Sequence, residues 1–366
     1  MTKNKLGAAM TSDSAQTTAI IDGLHVQVLP GETVLDAARR FGIDIPTLCN
    51  DPRVGSSGAC RLCMVKLEGR RQPVPACSQP LEAGMAITTH DPDLEDWRKT
   101  ILKLALSENP ADECPRCQQI GPCELHAMAD AYGVTQSAYH GATSGQLAVD
   151  DNPFILRDYS QCIYCYRCVS VCNDFEQAHA IMPVGRGFMT EIAAAGSDGL
   201  LSSPCTFCGQ CVQACPTGAL MDRKRMGKAK AEEVERVRTT CPYCGTGCGI
   251  ELNVAHGEVV GVTPDWGAPA NEGALCVKGQ FGMDFIHSSD RLTTPLIRRN
   301  GTFEEASWDE ALNLVAEKFN QIKAESGPDA FTLWSSSRST NEANYMVQKL
   351  ARAVIGTNNV DNCART

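Results

Sequence analysis

Apolar positions change period several times along the chain, and each change predicts a different element. In "TAIIDGLHVQVLPGETVLDAARRF", alternation on either side of Asp22-Gly23 predicts a two-stranded hairpin, and from Thr33 to Phe41 the spacing becomes that of a helix. Near the other end, "SWDEALNLVAEKFNQI" puts Ala311, Leu312, Val315 and Phe319 on one helical face behind a capping box of Ser307 and Glu310. The run "AFTLWSS" reads as a buried strand. From Asn341 to Ile355 helical spacing returns through Met346, Val347, Leu350, Ala351, Val354 and Ile355, with Gly356 as the C-cap. The last stretch, "NNVDNCART", reads as a turn. Helix, strand and helix in this order open a parallel α/β sheet, and one strand cannot make a sheet, so a substantial domain is expected beyond Thr366.

Composition narrows the class. With 366 residues, 43% hydrophobic and 21% charged, the chain suits roughly two or three globular domains. A net charge of -10 disfavours nucleic acid as a partner, and the one basic run, "DRKRMGKAKAEEVERVR", is interleaved with Glu232, Glu233 and Glu235 and reads as a solvated helix or linker. No apolar run reaches the length of a membrane span. The N-terminal stretch lacks the apolar core of a signal peptide, and Arg39-Arg40 lies too deep for a twin-arginine signal. A cytoplasmic protein that is not membrane-embedded is expected.

The 20 cysteines change the picture most, because thiols grouped as Cys-x2-Cys in a reducing compartment read as metal ligands. They fall into sets: Cys49, Cys60, Cys63 and Cys77; Cys114, Cys117 and Cys123; Cys162, Cys165, Cys168 and Cys172; Cys205, Cys208, Cys211 and Cys215; and Cys241, Cys244, Cys248 and Cys276. Only Cys363 stands outside a set, and it reads as a small buried residue. The third and fourth sets share the spacing Cys-x2-Cys-x2-Cys-x3-Cys, the second run followed by Pro216. In this two-cluster pattern the last thiol of each run serves the other cluster. One [4Fe–4S] centre is therefore expected on Cys162, Cys165, Cys168 and Cys215, and another on Cys205, Cys208, Cys211 and Cys172. The fifth set fits a further [4Fe–4S] centre, with Gly245, Gly247 and Gly249 expected to let backbone N–H groups approach the sulfurs; by spacing alone a zinc ribbon competes.

The first set, with the Gly55 and Gly58 loop before Cys60, suits a [2Fe–2S] centre and resembles the β-grasp ferredoxin module of complex I and iron hydrogenases. The segment "SENPADECPRCQQIGPCELHAMAD" resembles the His-(Cys)3 [4Fe–4S] segment of the same families, in which the His precedes the first Cys. Here Asn109 and Pro110 hold that place and His90 is the nearest His upstream. Asp112, Glu113 or His126 remain as candidate fourth ligands, or the site holds a degenerate cluster or none.

From "CPYCGTGCG" through "LCVKGQFGMDFIHSSDRLTTPLIR" to "SRSTNEANYMVQKLARAVIGTNNVDNCAR", the chain resembles the catalytic alpha subunit of cytoplasmic formate dehydrogenases carrying Mo- or W-bis-MGD. The resemblance implies an α+β multidomain architecture. Residues 1–16 would be a flexible tail, 17–92 a 2Fe–2S β-grasp domain, and 93–145 a His(Cys)3-type segment. Residues 146–225 would be a two-cluster ferredoxin domain, 226–236 a linker, 237–292 a small β-rich [4Fe–4S] domain, and 293–366 the start of a molybdopterin oxidoreductase α/β domain. It implies one [2Fe–2S] and three to four [4Fe–4S] centres, with Lys278 as an electron relay between the fifth set and a pterin. The reaction implied is formate oxidation to CO2, with electrons handed to an NAD-linked flavin/Fe–S subunit, a ferredoxin or a hydrogenase partner. A selenocysteine or cysteine metal ligand would follow Thr366, and a chain read as stopping at a selenocysteine codon is the expectation. On that view this portion alone catalyses nothing. The competing class is a non-catalytic electron-transfer subunit resembling the large Fe–S subunit of complex I.

Overall fold

The computed structural model describes residues 18–137, 139, 141 and 148–363; the expected tail over 1–16 and residues 364–366 lie outside these. The chain divides into two compact units, residues 1–205 with 210–226, and residues 206–209 with 227–366.

The first unit opens with strands β1 (Thr18–Ile21) and β2 (Leu24–Gln27), an antiparallel hairpin whose turn has Asp22 and Gly23 both at positive φ. Helix α1 (Val34–Arg40) follows, with Thr33 as N-cap in a full capping box with Asp36 and Phe41 as C-cap, as the spacing predicts. Strands β3 (Met64–Leu67), β4 (Val74–Pro75) and β5 (Ala86–Thr88) complete a sheet of order β2-β1-β5-β3-β4 in which β1 and β5 run parallel. Ile21, Val26, Leu35, Ala38, Val65 and Ile87 close its core against α1.

Helix α2 (Pro92–Leu106) starts at the N-cap Asp91, with Pro92 at the first helical position, and buries Leu94, Arg98, Leu102 and Leu106 at four-residue intervals. Arg98 is fully buried. Its guanidinium donates to the carbonyls of Leu62 (3.3 Å), Met64 (3.3 Å) and Thr89 (2.6 Å) and pairs with Glu95 (2.9 Å), so α2 is fastened to the sheet by backbone acceptors that the sheet itself leaves open. Beyond α2 come two short helices, α3 (Pro115–Gln119) and α4 (Glu124–Ala131). Strands β6 (Ala148–Val149) and β7 (Ile155–Asp158), helix α5 (Arg167–Ser170), the hairpin β8 (Ile181–Val184) and β9 (Glu191–Ala194), helix α6 (Gln210–Ala214) and strand β10 (Leu220–Asp222) follow; β10, β7 and β6 form one antiparallel sheet.

The second unit is built on the antiparallel sheet β11 (Glu235–Thr240), β12 (Gly249–Ala255) and β13 (Glu258–Pro264). Only the end of the basic run departs from the solvated helix or linker expected: after turns and a short 3-10 turn over Ala231–Glu233 it enters β11. Every residue of β11 is exposed, so it carries no apolar alternation, and its backbone pairing with β12 alone makes it a strand. After the short helix α7 (Val277–Phe281), the hairpin β14 (Leu296–Arg299) and β15 (Thr302–Glu305) precedes helix α8 (Trp308–Ser326).

Ser307 caps Glu310 N–H (3.1 Å), but the Glu310 carboxylate turns to Arg299 instead of closing the predicted box. Strand β16 (Leu333–Ser336) is present yet not buried, Trp334 being 81% exposed. Helix α9 (Asn341–Lys349) runs on as a π turn to Ile355 and ends at Gly356 in the left-handed region. The segment expected as a turn forms β17 (Val360–Cys363), parallel to β16, so two strands of a parallel sheet stand where one was expected. Cys363 lies on that edge strand and is exposed, not buried as predicted, because β16 is the one strand paired with it among the described residues.

Replacing Arg98 by Ala should destabilise the first unit by about 3–5 kcal/mol, since three buried carbonyls and the packing of the side-chain stem are lost together. Urea unfolding followed by circular dichroism checks this; a loss under about 1 kcal/mol would show that α2 is held by its apolar stripe alone.

Candidate metal centres

In the first set, Gly55 (φ +82°) and Gly58 (φ +68°) turn the loop left-handed with nothing within 4 Å of a would-be Cβ, so their role is conformational. Cys49 is in hydrogen-bonding contact with Cys60 and Cys77, and Cys63 with Cys77. The contact with Cys60 holds the Cys49 thiol far below its ordinary range, and Cys77 brings Cys63 down to about 7. The Leu48 N–H also points at Cys60 Sγ (3.4 Å).

The second set is where the sequence left its ligand open. Cys114 is the residue before α3 and Cys123 the residue before α4, and one turn into α4 His126 faces back towards them. The ligand atoms of Cys114, Cys117, Cys123 and His126 all lie within 4.8 Å of one another, and three of the four residues are buried. His126 Nδ1 is 2.9 Å from Cys117 Sγ and 3.1 Å from Cys123 Sγ. Contacts with Cys114 and then Cys117 push the imidazole pKa up to about 10. Asp112 and Glu113, the other candidates, are exposed and outside this group, as is His90.

Cys162, Cys165, Cys168 and Cys215 line one cavity with Pro216 and Tyr159, which brings together the thiols the crossed pattern predicts for one centre. Burial pushes Cys162 up to about 12 and raises Cys165 and Cys168 as well. Thiols packed this way hold their protons until a cation displaces them. Of the thiols that the crossed pattern predicts for the other centre, Cys172 Sγ accepts the Ala180 N–H (3.3 Å) and the Cys205 N–H donates to Ser203 Oγ (3.2 Å). Cys205, Cys211 and Cys172 belong to the first unit and Cys208 to the second.

In the second unit, the fifth set sits at the open end of the β11-β12-β13 sheet, where the Cys241 N–H donates to the Cys248 carbonyl (2.8 Å). Cys241 packs with Ile250, Val262 and Leu275, and burial raises it. Burial, then the charges of Cys241, Cys244 and Cys276, raise Cys248. Cys244 is instead lowered, first by Thr246 and then by the charges of Arg338 and Lys278. Lys278 Nζ stands 5.7 Å from the Tyr243 ring centroid. Around the fifth set, a Cβ on Gly245 would crowd Asn341 and Ser339, one on Gly249 would strike Ala268, and Gly247 takes positive φ.

Two residues that the sequence reading passed over tie the sets of the first unit together. A Cβ on Gly218 would lie 2.8 Å from Cys114 Sγ, and the Leu125 N–H donates to the Pro216 carbonyl (3.1 Å), so the second set rests on the loop that follows Cys215. Arg167, between Cys165 and Cys168, pairs with Glu124 (2.7 Å) beside Cys123 and lies 4.0 Å from Asp51 beyond Cys49. An arginine inside a cysteine run was the available signal.

Comparison with known families gives a consistent assignment. Residues 14–92 match the 2Fe-2S iron-sulfur cluster binding domain and 98–138 the NADH-ubiquinone oxidoreductase-G iron-sulfur binding region. Residues 152–221 match the NADH-quinone oxidoreductase subunit 3 ferredoxin-like domain, 234–288 the molybdopterin oxidoreductase Fe4S4 domain, and 291–366 molybdopterin oxidoreductase. The chain is an array of iron–sulfur domains leading into a molybdopterin oxidoreductase domain.

The array is 39% identical to a G-type subunit of NADH-quinone oxidoreductase from Rhizobium meliloti, over 94% of its own length and 40% of that protein. It is 38% identical to NADPH-Fe(3+) oxidoreductase subunit alpha of Geobacter sulfurreducens, again over 94% of the chain and 40% of the relative. A Staphylococcus aureus protein provisionally named a formate dehydrogenase is 34% identical, over 94% and 39%. The array therefore spans about 40% of the length of these relatives. It also resembles a solved NAD+-reducing [NiFe]-hydrogenase chain, with a TM-score of 0.54 and 28% identity over 59% of the array and 91% of that chain. No helix among the described residues is long and apolar enough to cross a membrane.

The gathering of Cys114, Cys117, Cys123 and His126, the cavity lined by Cys162, Cys165, Cys168 and Cys215, and the space kept clear by Gly218 fit iron–sulfur centres. A Gly218→Ala change should displace Cys114 and lower the iron held by the second set after anaerobic reconstitution; iron analysis unchanged from the parent would refute the contact. Arg167→Gln removes a fixed cation beside Cys165 that favours the added electron, so the midpoint potential of that centre should fall in an EPR-monitored redox titration.

Proposed function

We propose that this array is the electron-relay portion of a formate dehydrogenase alpha subunit, whose Mo- or W-bis-MGD centre belongs to the complete enzyme. Cys49, Cys60, Cys63 and Cys77 would hold a [2Fe–2S] cluster, and Cys114, Cys117 and Cys123 three corners of a [4Fe–4S] cluster. Two further [4Fe–4S] clusters would sit on Cys162, Cys165, Cys168 and Cys215 and on Cys205, Cys208, Cys211 and Cys172, and a last one on Cys241, Cys244, Cys248 and Cys276. Bound clusters supply one-electron carriers, and the protein's part is to place and tune them. A selenocysteine or cysteine next after Thr366 would complete the metal's protein ligation on this reading.

The observation that carries the reading is the join inside the second unit. The Gly245 N–H donates to the Ser337 carbonyl (3.3 Å), laying the Cys244 turn against the loop after β16, where the molybdopterin oxidoreductase match begins to build its sheet. Lys278 and Arg338 put positive charge on that same turn, which favours an electron arriving at the fifth set. A second reading is supported by the relatives named as NADH- and NADPH-linked subunits and by the ferredoxin-like match over 152–221: a relay fed by a nicotinamide-linked subunit, without formate chemistry. On either reading the work would be cytoplasmic, with a flavin/Fe–S, ferredoxin or hydrogenase partner.

The native protein, purified anaerobically with its partners, should contain Mo or W, and formate should bleach its iron–sulfur absorption near 420 nm. Bleaching by NADH or NADPH alone, with neither metal present, would reject the formate reading in favour of the second.

A further inference from the structure

Among the described residues, His126 is the histidine that joins a group of three thiols, and the way its ring is held decides which nitrogen is available. Its Nε2 lies 2.9 Å from the backbone carbonyl of Asn109. A carbonyl only accepts, so Nε2 carries the hydrogen, and in the neutral ring the lone pair is left on Nδ1. Nδ1 is the atom directed at Cys117 and Cys123. The ring is buried, and its second nitrogen is fixed by a backbone acceptor, which is the arrangement that orients a metal-bound imidazole.

We infer that His126 Nδ1 is the fourth protein ligand of the iron–sulfur centre on Cys114, Cys117 and Cys123, with the Asn109 carbonyl as its positioning group. The ligand therefore comes from the C-terminal side of the thiols, on α4, and not from the segment before them. The Asn109 amide nitrogen donates to the Ala105 carbonyl (3.2 Å). Asp112 and Glu113, on the surface of the turn before α3, are held out of the group. A neutral nitrogen in place of a thiolate leaves one less negative charge at the cluster, so this centre should be easier to reduce than one held by four thiolates.

This inference rests on the second set holding a cluster, and the test separates the two. The 366-residue chain is reconstituted anaerobically with iron and sulfide, its iron counted, and the dithionite-reduced protein studied by pulsed EPR with natural and with 15N-labelled histidine. The expected result is about eighteen irons and a strong nitrogen coupling whose frequencies change on histidine labelling. His126→Ala should lose about four irons together with that coupling, while Asn109→Ala, which keeps the backbone carbonyl, should keep both. In His126→Cys, a cluster that is retained should lose the nitrogen coupling and titrate at a more negative potential. About eighteen irons with no histidine nitrogen coupling would overturn His126 as ligand and leave the cluster standing. About fourteen irons in the unmodified chain would overturn the cluster and this inference with it. The labelling arm uses the unmodified protein, so it decides the question even where a variant fails to fold.

Discussion

A thiolate in apolar surroundings costs more free energy than local packing returns, unless a cation takes the place of the proton it has lost. That constraint organises this chain. Cys63, Cys77, Cys114, Cys123, Cys165, Cys168 and Cys241 are buried residues inside hydrophobic clusters or beside them, at positions an ordinary core fills with Leu or Val. These thiols stand where the cores close, so metal bound by them would be part of folding.

The same constraint explains the arrangement of the first unit. Leu48, Leu62, Leu102, Cys114, Cys123 and Leu125 form one core, with Cys60 and Ile163 packed against it, so side chains from three neighbouring thiol segments share one apolar interior. Arg167 supplies a polar link beside that interior, its charge shared between Glu124 and Asp51. Electron carriers in such a setting are kept near one another by packing and kept from water by the same side chains.

What the sequence made legible follows from how local each signal is. The hairpin at Asp22-Gly23 and helix α1 with its Thr33 cap rest on short spacings, and both stand in the structure. The cysteine runs are equally local, and the fold gathers Cys215 with Cys162, Cys165 and Cys168 round one cavity. Strand β11 escaped because an exposed edge strand has no apolar period, and β17 because its partner β16 lies a helix away in sequence. His126 was legible as a candidate but not as the choice. Selecting it needed the start of α4 and the position of the Asn109 carbonyl, and spacing encodes neither. The glycines around the fifth set were visible, but the neighbours that require them, Ala268 and Asn341, come from distant segments.

Arg98 has a bearing on how such chains exchange parts. The ferredoxin-like sheet and the domain match both end near residue 92, where a module boundary would naturally be drawn. Yet the carbonyls of Leu62, Met64 and Thr89 find their donor six residues further on, in a helix assigned to the next module. A recombination event cutting at the apparent seam would strand those acceptors in a dry interior. By this packing the sheet and α2 form one structural piece, which extends to Leu106.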